Sequence, residues 1–407
     1  MTAPSSHQRS VLTVIFVTVF VDLLGFGIVL PLLPYYAHQF HASGTTAGAL
    51  IAVYSAMQFL CAPLWGRWSD RVGRRPIILV SLAGSTVSYL LFALANGIGM
   101  LFVSRILAGV AGANIPVAQA FIADSTSEKD RARGMGLIGA AFGLGFVFGP
   151  AIGGLLAHAG HAAPGFAATA ICGLNLLMAA WRLPESLTAE RRRRVPAAQP
   201  QNRWRQLRGQ PRLAALLLLF GAVVFSFSTM ETTLSLLCAT AYRMQASQIY
   251  WLFGYMGLLT TLMQGGLIGR LAQRVDEARL VATGAALLAL GLGAAPFAPP
   301  LTPLLAALGA VAFGQGIASP VLSSLISKSG GAHQGAVLGV SQSVGSLARI
   351  VGPLWGGLLF DYGGPAGPYV TTAALMAVAT GIALVLPVTL PASAEVGPEL
   401  QASLQER

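Results

Sequence analysis

The sequence predicts an all-α membrane protein: twelve transmembrane helices in two pseudo-symmetric six-helix bundles. Of its 407 residues, 55% are hydrophobic and only 10% charged, with a mean hydropathy of +0.68, where a soluble domain carries roughly 25% charged residues. Apolar runs of about 20 residues, long enough to cross a bilayer, recur with only brief polar breaks. Landmarks of the first half also return in the second at one fixed displacement.

The first span, 11–36, runs well beyond the apolar core of a signal peptide and contains Asp22, so it reads as a retained helix. Spans 46–66, 77–95, 99–124, 133–157 and 163–183 follow, separated by arginine-bearing or glycine- and histidine-bearing breaks in alternation. The longest polar interruption, from Pro184 to Pro211, holds Arg191 to Arg194, Arg203, Arg205 and Arg208. It divides the chain into an N-terminal bundle at 1–190, a linker at 191–211 and a C-terminal bundle at 212–407. Beyond it lie spans 213–240, 248–269, 279–297, 301–326, 334–360 and 368–389, the ninth stopped by Pro296, Pro299 and Pro300.

The net charge of +11 is not an open basic face for nucleic acid, because the basic residues sit in short clusters between apolar runs. Arg67, Arg71, Arg74 and Arg75 follow span 2, Lys129, Arg131 and Arg133 span 4, Arg270, Arg274 and Arg279 span 8, and Lys328 span 10. All of these, with the linker, fall on one side. The other side has His38, His41, His158, His161 and Asp361, with Arg243 its single arginine. Arginine and lysine in short loops mark the cytoplasmic side, which predicts a multi-pass protein of a bacterial inner membrane with both termini in the cytoplasm. Cys61, Cys172 and Cys238 each lie within an apolar run, so neither a disulfide framework nor a metal site is expected. No nucleotide-binding loop or soluble domain is evident, and the chain is read as neither an enzyme nor a cofactor protein.

Gly66-Arg67 and Arg71-Val72 recur as Gly269-Arg270 and Arg274-Val275, and the run Gly149-Pro150 to Leu156 recurs as Gly352-Pro353 to Leu359. Both displacements are 203 residues (269 − 66 and 352 − 149). Pro116 and Pro320 stand 204 apart. Two such parallel repeats enclosing a midplane cavity suit a secondary transporter, which rocks one half against the other.

The run from Gly66 to Pro76, with Gly66, Asp70, Arg71, Gly73, Arg74 and Arg75, resembles the loop 2–3 signature of the major facilitator superfamily. The resemblance implies the fold of that family and a gate in which Asp70 lies against the start of helix 11 while Arg74 pairs with Asp124. The fifth span, with Gly145, Gly149, Pro150, Gly153 and Gly154, looks like the helix signature of antiporters and drug exporters in that superfamily. Small residues there let helices approach closely. The first half is similar to tetracycline/proton antiporters: Asp22 to Gly27 leading to Pro31 and Pro34, Tyr54 with Gln58, Asp124 with Arg131 and Arg133, and Leu183 to Ser186. Those antiporters carry acidic residues in helices 3 and 9 and a histidine in helix 8. Here helix 3 reads Ser88-Tyr89, and helices 8 and 9 offer no counterpart.

Ionisable residues inside a bilayer are costly, and they mark functional sites. Asp22 lies about 11 residues into its helix, roughly 16 Å from the arginine-rich side at about 1.5 Å per residue. Burial there disfavours its charged form, which makes it the first candidate for carrying a proton. The resemblance places Arg105 in a signature associated with proton coupling, with Asp22 the expected partner. Glu231 sits among Ser226, Ser228, Thr229, Thr232 and Thr233, a polar stripe expected to face the cavity, where it binds a cation, serves as a second proton site or pairs with Arg349. Gln58, Asn114, Gln119, Phe142, Phe227, Gln264, Gln315 and Arg349 complete the expected cavity. The resemblance implies an exporter of small hydrophobic or drug-like molecules, tetracycline-like antibiotics among them, exchanging cargo for protons by alternating access. The alternative is a proton-coupled transporter of a metabolite such as a sugar or amino-acid derivative. The expected partners are the lipid bilayer, a small-molecule substrate and the proton, with the chain acting as a monomer and driven by the proton gradient.

Overall fold

The computed structural model describes residues 6–126, 128–160, 162–187, 211–298, 301–329 and 334–385. The side chains at 6–11, 128–136, 139, 140, 142, 146 and 334–336 also lie outside the description, as does most of the linker expected at 191–211. Every regular element among the described residues is helical. Eleven helices are long and apolar enough to cross a membrane, and a twelfth, Glu128–Ala157, contains the shorter apolar stretch Gly143–Ala157.

Helix 1 is Ser6–Val29, continued as Leu32–Gln39 after a break at Pro31. Helix 2 is Gly44–Val72 and helix 3 is Arg74–Ala93. Helix 4 runs from Ile98 to Ala111 and from Ile115 to Ser125 around one tight turn, Gly112–Asn114, that precedes Pro116. Helix 5 is Glu128–Ala157 and helix 6 Ala163–Arg182. The second half comprises helix 7, Pro211–Thr240; helix 8, Ala246–Leu262 continued through a π turn to Ala272; and helix 9, Glu277–Ala294. Helix 10 is Leu301–Ser329, helix 11 Gln334–Gly363 and helix 12 Gly367–Val385.

Helix 2 is longer than its apolar run, so Arg67 and Arg71 belong to its last turns rather than to a loop. The connection to helix 3 is one residue, Gly73, at φ 118°, a conformation glycine adopts without steric cost. Gly66, by contrast, has open space where a side chain would be and brings no helices together here.

The two halves meet along two seams at the face opposite the arginines. Helix 2 lies on helix 11: a Cβ at Gly48 would strike the Pro353 carbonyl, and one at Gly357 would strike Gly44. Helix 5 lies on helix 8, where Gly153 and Gly154 form a notch for the Tyr250 ring. The Tyr250 hydroxyl donates to the Ile28 carbonyl at 2.9 Å, and Ser235 Oγ donates to the Pro31 carbonyl at 2.9 Å, which ties helices 8 and 7 to helix 1. At the arginine-rich end no such contact is seen at the corresponding glycines. Gly66 on helix 2 and Gly265, Gly266 and Gly269 on helix 8 have nothing within 4 Å of a modest side chain, and Leu64 and Trp68 are exposed. Among the described residues the halves are closed at one face and splayed at the other.

Candidate functional site

Between the halves lies a cavity of about 900 Å³. It reaches from Leu33 and Ile51, beneath the closed seams, towards Pro63, Phe220 and Gln342 on the arginine-rich side. Helices 1, 2, 3 and 4 supply one wall, and helices 7, 10 and 11 the other.

Asp22 is buried on the first wall. Its Oδ2 accepts a long hydrogen bond from Asn114 Nδ2 at 3.5 Å, and Oδ1 has no partner. Helix 1 can present this carboxylate so deep because it is packed closely on helix 5: a Cβ at Gly149 would meet Gly27 backbone at 2.6 Å, and one at Gly145 would meet Leu23. The antiporter-like glycines therefore serve twice, Gly145 and Gly149 within the first half and Gly153 and Gly154 across to the second.

Arg105 is 1% exposed, and its Nε and Nη2 lack hydrogen-bond partners. No ion pair joins it to Asp22. Its guanidinium lies over the Tyr54 ring, 5.6 Å from the centroid, a cation–π contact strengthened by the burial of Arg105. Tyr54 is held in turn by Phe26, with ring centroids 5.1 Å apart, and by Gln58, whose Nε2 donates to the Tyr54 hydroxyl at 3.4 Å and to the Gly112 carbonyl at 2.9 Å. Tyr54 and Tyr89 both line the cavity beside Asp22 and Arg105. Their importance has a faint sequence signal: Gly25, Gly109 and Gly112 are the positions where larger residues would strike these two tyrosines.

On the second wall, Glu231, Ser228 and Phe227 face the cavity, but the rest of the helix 7 polar stripe does not follow them. Thr229 Oγ1 donates to the Gly352 carbonyl at 3.0 Å, and Gly356 lies against Thr229 and Thr233. Thr232 and Thr233 hydroxyls return to carbonyls one turn earlier in their own helix. A helix has more than one face, and here half of the stripe glues helix 7 to helix 11. Arg349 also lines the cavity, without an ion pair to Glu231. Among the described residues the ion pairs are Arg74–Asp70, Arg74–Asp124 and Lys328–Glu277.

Gln58, Gln119, Gln315 and Phe227 line the cavity; Asn114 stands behind it as the Asp22 donor. Gln264 does not: it is exposed, because it falls in the π turn Met263–Leu267, which inserts an extra residue and rotates the face predicted from regular spacing. The Phe142 side chain lies outside the described residues.

At the arginine-rich end, Arg74 is the hub. Its Nη1 meets Asp70 Oδ1 at 2.6 Å and Ser69 Oγ at 2.6 Å, and its Nε meets Asp124 Oδ2 at 3.2 Å. Glu185 caps helix 3, accepting from the backbone N–H groups of Arg74 and Arg75. Asp70 is thus engaged within its own half. The start of helix 11, against which the resemblance places Asp70, has its side chains at 334–336 outside the described residues. Arg71 makes no ion pair among the described residues, while Arg75 Nη2 donates to the Ala180 carbonyl at 2.6 Å. Among the described residues no group of three or more His, Cys, Asp or Glu side chains is placed to hold a metal ion.

Comparison with known proteins follows this architecture. The family model described as Major Facilitator Superfamily matches residues 15–349 and, again, 232–406. The class C tetracycline resistance protein of Escherichia coli is 37% identical over 85% of this chain and 89% of its own length. Multidrug resistance protein 2 of Bacillus subtilis (strain 168) is 30% identical, covering 88% of this chain and 90% of the relative. Among solved structures, the human organic anion transporter MFSD10 (TETRAN) superposes with a TM-score of 0.67 at 27% identity, covering 93% of this chain and 100% of the other.

Proposed function

The chain belongs to the Major Facilitator Superfamily, and from that premise we propose that it exports small hydrophobic, drug-like molecules in exchange for protons by alternating access. The observation that carries this reading is the cavity between the halves, which holds Asp22 on one wall and Glu231 on the other and lies under two closed seams. A carboxylate that is buried, weakly hydrogen-bonded and open to a transport pathway is suited to trade a proton for cargo. The tetracycline and multidrug resistance relatives support antibiotics as cargo.

The arginine-rich face is assigned to the cytoplasm of a bacterial inner membrane, with both termini on that side. In this orientation cargo enters the cavity from the cytoplasm or the inner leaflet. The seams then part, the splayed end closes, and a proton arriving from outside neutralises Asp22 and weakens its hold on the cargo. Arg105 stays charged throughout. From its place over the Tyr54 ring it favours return of Asp22 to the ionised form once the cavity faces the cytoplasm again. The six-helix halves at 1–190 and 212–407, joined by the linker, move as the rocking bodies, and the cycle needs one chain, the proton gradient and no cofactor.

Proteoliposomes with a pH-sensitive dye inside test this directly. Addition of an exported compound is expected to release protons in the wild type and to release at least tenfold fewer in Asp22→Asn. Cargo movement at the wild-type rate with no pH gradient in the Asp22→Asn protein overturns the reading. A dose-response panel in a pump-deficient bacterium then separates drug export, which raises tolerance to several unrelated hydrophobic agents, from metabolite transport, which does not.

A further inference from the structure

Resting on the proton-coupled reading above, we infer that the second arm of helix 4, Ile115–Ser125, is the lever that carries the protonation state of Asp22 to the charge network at the arginine-rich end. Asn114 is the residue that positions the carboxylate, and Trp65, Ser81 and Gln58 form the fulcrum. The starting observation is a break that the sequence explains only in part. Pro116 has no N–H to give the Gly112 carbonyl, and helix 4 tightens into one turn at Gly112–Asn114 before it resumes at Ile115. Pro320 stands at the equivalent place 204 residues on, yet helix 10 runs unbroken from Leu301 to Ser329. A proline alone does not make the break.

The two helices differ in what meets them there. Three successive carbonyls of helix 4 each receive a side-chain donor from a neighbouring helix: Val110 from Trp65 Nε1 at 2.6 Å, Ala111 from Ser81 Oγ at 2.5 Å and Gly112 from Gln58 Nε2 at 2.9 Å. The approach is close, since a Cβ at Gly112 would meet the Tyr54 hydroxyl at 2.8 Å and one at Gly84 the Ala111 Cβ at 3.0 Å. In the second half the three donor positions are Ile268, Gly284 and Thr261. The first two have no side-chain donor, and Thr261 Oγ1 turns to the Gly143 carbonyl of helix 5. Asp22 itself corresponds to Phe225 at 203 residues, and Asn114 to Ala318 at 204. The break, its braces and the carboxylate at the Asp22 position thus come together in one half and are missing together from the other.

The arm beyond the turn is held at both ends. At its start Asn114 Nδ2 donates to Asp22 Oδ2 at 3.5 Å, with Ser85 of helix 3 also beside the carboxylate. At its far end Asp124 meets Arg74, which also holds Asp70 and Ser69. Ser69 Oγ donates to the carbonyl of Gly66, the residue after Trp65, at 2.7 Å, so the hydrogen bonds lead back from the charge network to the fulcrum. Eleven residues at about 1.5 Å each give an arm of roughly 16 Å. An amide N–H bonds an ionised carboxylate more strongly than a protonated one. A proton on Asp22 therefore loosens Asn114, and the arm turns about the braced carbonyls and moves Asp124 against Arg74. The other charged or titratable groups around Asp22 are Tyr54 of helix 2, Tyr89 of helix 3, Arg105 of helix 4 and Cys172 of helix 6, with Glu231 and Arg349 across the cavity. Helix 5 presents Gly145 and Gly149 to helix 1 there. Of these groups only Arg105 belongs to helix 4, and it lies in the first arm, Ile98–Ala111, on the far side of the fulcrum.

The test uses the full-length protein in nanodiscs and needs no cargo. Protonation of Asp22 is followed by the carboxyl infrared band that disappears in Asp22→Asn. The arginine-rich end is followed by the distance between spin labels on Val72→Cys, at the end of helix 2, and Gln273→Cys, just past helix 8, in a Cys61→Ser background. The label distance is expected to change with pH at the midpoint of the carboxyl band, and to stop responding in Asp22→Asn. Asn114→Leu removes a donor to the ionised form and should move both midpoints together to higher pH, by about half a unit or more. Trp65→Phe keeps a ring but removes the bond to Val110. Its carboxyl midpoint should stay at the wild-type value while the distance response falls by about threefold or more. A purely structural role for Trp65 would lower stability without separating the two readouts. A wild-type distance response in Trp65→Phe overturns the lever, as does an unmoved carboxyl midpoint in Asn114→Leu. Ser81→Ala, which empties the next brace by deleting one oxygen, stands in for Trp65→Phe if that variant fails to fold, and Asn114→Ala for Asn114→Leu, with the same outcomes. No gradient enters, so linked carboxyl and distance responses without proton release in liposomes defeat only the export reading. Proton-linked export with Trp65→Phe behaving as wild type defeats only this inference.

Discussion

The two seams at the closed face occupy equivalent places in the duplicated sequence and are built on different physics. Shifted by 203 residues, Gly44, Ala47 and Gly48 of helix 2 correspond to Ser247, Tyr250 and Trp251 of helix 8, and Gly357 and Asp361 of helix 11 to Gly154 of helix 5 and His158 just past its end. The helix 2–helix 11 seam is backbone against backbone, with glycine on both sides. It is latched by Asp361, which accepts from the Gly44 and Thr45 N–H groups at 2.6 and 2.8 Å and from Thr45 Oγ1 at 2.6 Å. A carboxylate placed over the start of a helix satisfies orphan N–H donors and meets the positive end of the macrodipole. The helix 5–helix 8 seam has no such carboxylate latch among the described residues; it is a ring in a notch, Tyr250 against Gly153 and Gly154, with one long hydrogen bond from Thr261 Oγ1 to the Gly143 carbonyl at 3.4 Å. One seam is short-range and polar, released when water competes for Asp361. The other is chiefly apolar and yields through a buried side chain, Tyr250, where the first would have to move a carbonyl.

The largest expected effect follows from that difference in stiffness. Gly48→Ala puts a methyl group against the Pro353 carbonyl, and only a shift of a whole helix relieves the clash. Overpacking of this kind costs about 1–3 kcal/mol and here falls entirely on the closed-face state. Transport by Gly48→Ala should drop at least tenfold, with the closed face now labelled by an impermeant thiol reagent. Gly153→Ala meets the Tyr250 ring instead and should retain more than half of the wild-type rate. Equal loss in the two variants would erase the distinction between the seams.

Next in size is the latch itself. Asp361→Asn keeps the shape but removes the charge from three hydrogen bonds at the helix 2 N-terminus. Charge-assisted bonds and a helix terminus together contribute on the order of 1–2 kcal/mol. The closed seam should therefore open about 5- to 30-fold more often. In a Cys61→Ser background with cysteine in place of Tyr362, which is 85% exposed beside the latch, the thiol reports little. A cysteine at Ile51, 6% exposed under the seam, is the informative probe, and its labelling from the closed face should rise by that factor. His158→Asn at the matching place in the other seam should leave the rate unchanged.

How much of this was visible in the residues alone depends on the range of the signal. Hydropathy and the alternation of arginine placed the twelve spans, because crossing a bilayer constrains every residue of a helix at once. The repeat was visible as well, since glycines and prolines at packing sites tolerate little change. Asp22 and Arg105 stood out because a charge in an apolar run has no bland explanation. What stayed hidden depends on contacts between distant segments. Tyr250 meets Ile28 across 222 residues, and nothing near Tyr250 in sequence announces a notch in helix 5. Asp361 reads as an ordinary helix-end residue until helix 2 is seen beneath it. Gln264 was misplaced because a π turn is invisible to a 3.6-residue period, and the helix 7 stripe split because periodicity says that a face is polar without saying what it meets.

The smallest expected effect comes from the arginine-rich end, where the repeat keeps a charge pair and reverses its sign. Arg74 corresponds to Glu277 at 203 residues and Asp124 to Lys328 at 204, so the start of helix 3 and end of helix 4 are joined by Arg–Asp, the start of helix 9 and end of helix 10 by Glu–Lys. The surroundings differ more than the charges do. The Arg74 side chain is 10% exposed and Asp124 17%, whereas Lys328 is 46% exposed. An exposed pair is worth about 0–1 kcal/mol and is weakened by salt; Glu277→Gln should change the melting temperature in detergent by less than about 1 °C. Asp124→Asn leaves Arg74 its bonds to Asp70 and Ser69, so the loss is held to about 1 kcal/mol instead of the full penalty of an orphaned buried charge. Because Asp70 and Arg74 belong to the motif whose resemblance implies a gate, that loss should also slow turnover, which Glu277→Gln should leave alone. A melting shift in Glu277→Gln as large as in Asp124→Asn would mean that the two ends of the repeat carry the same load and that burial does not distinguish them.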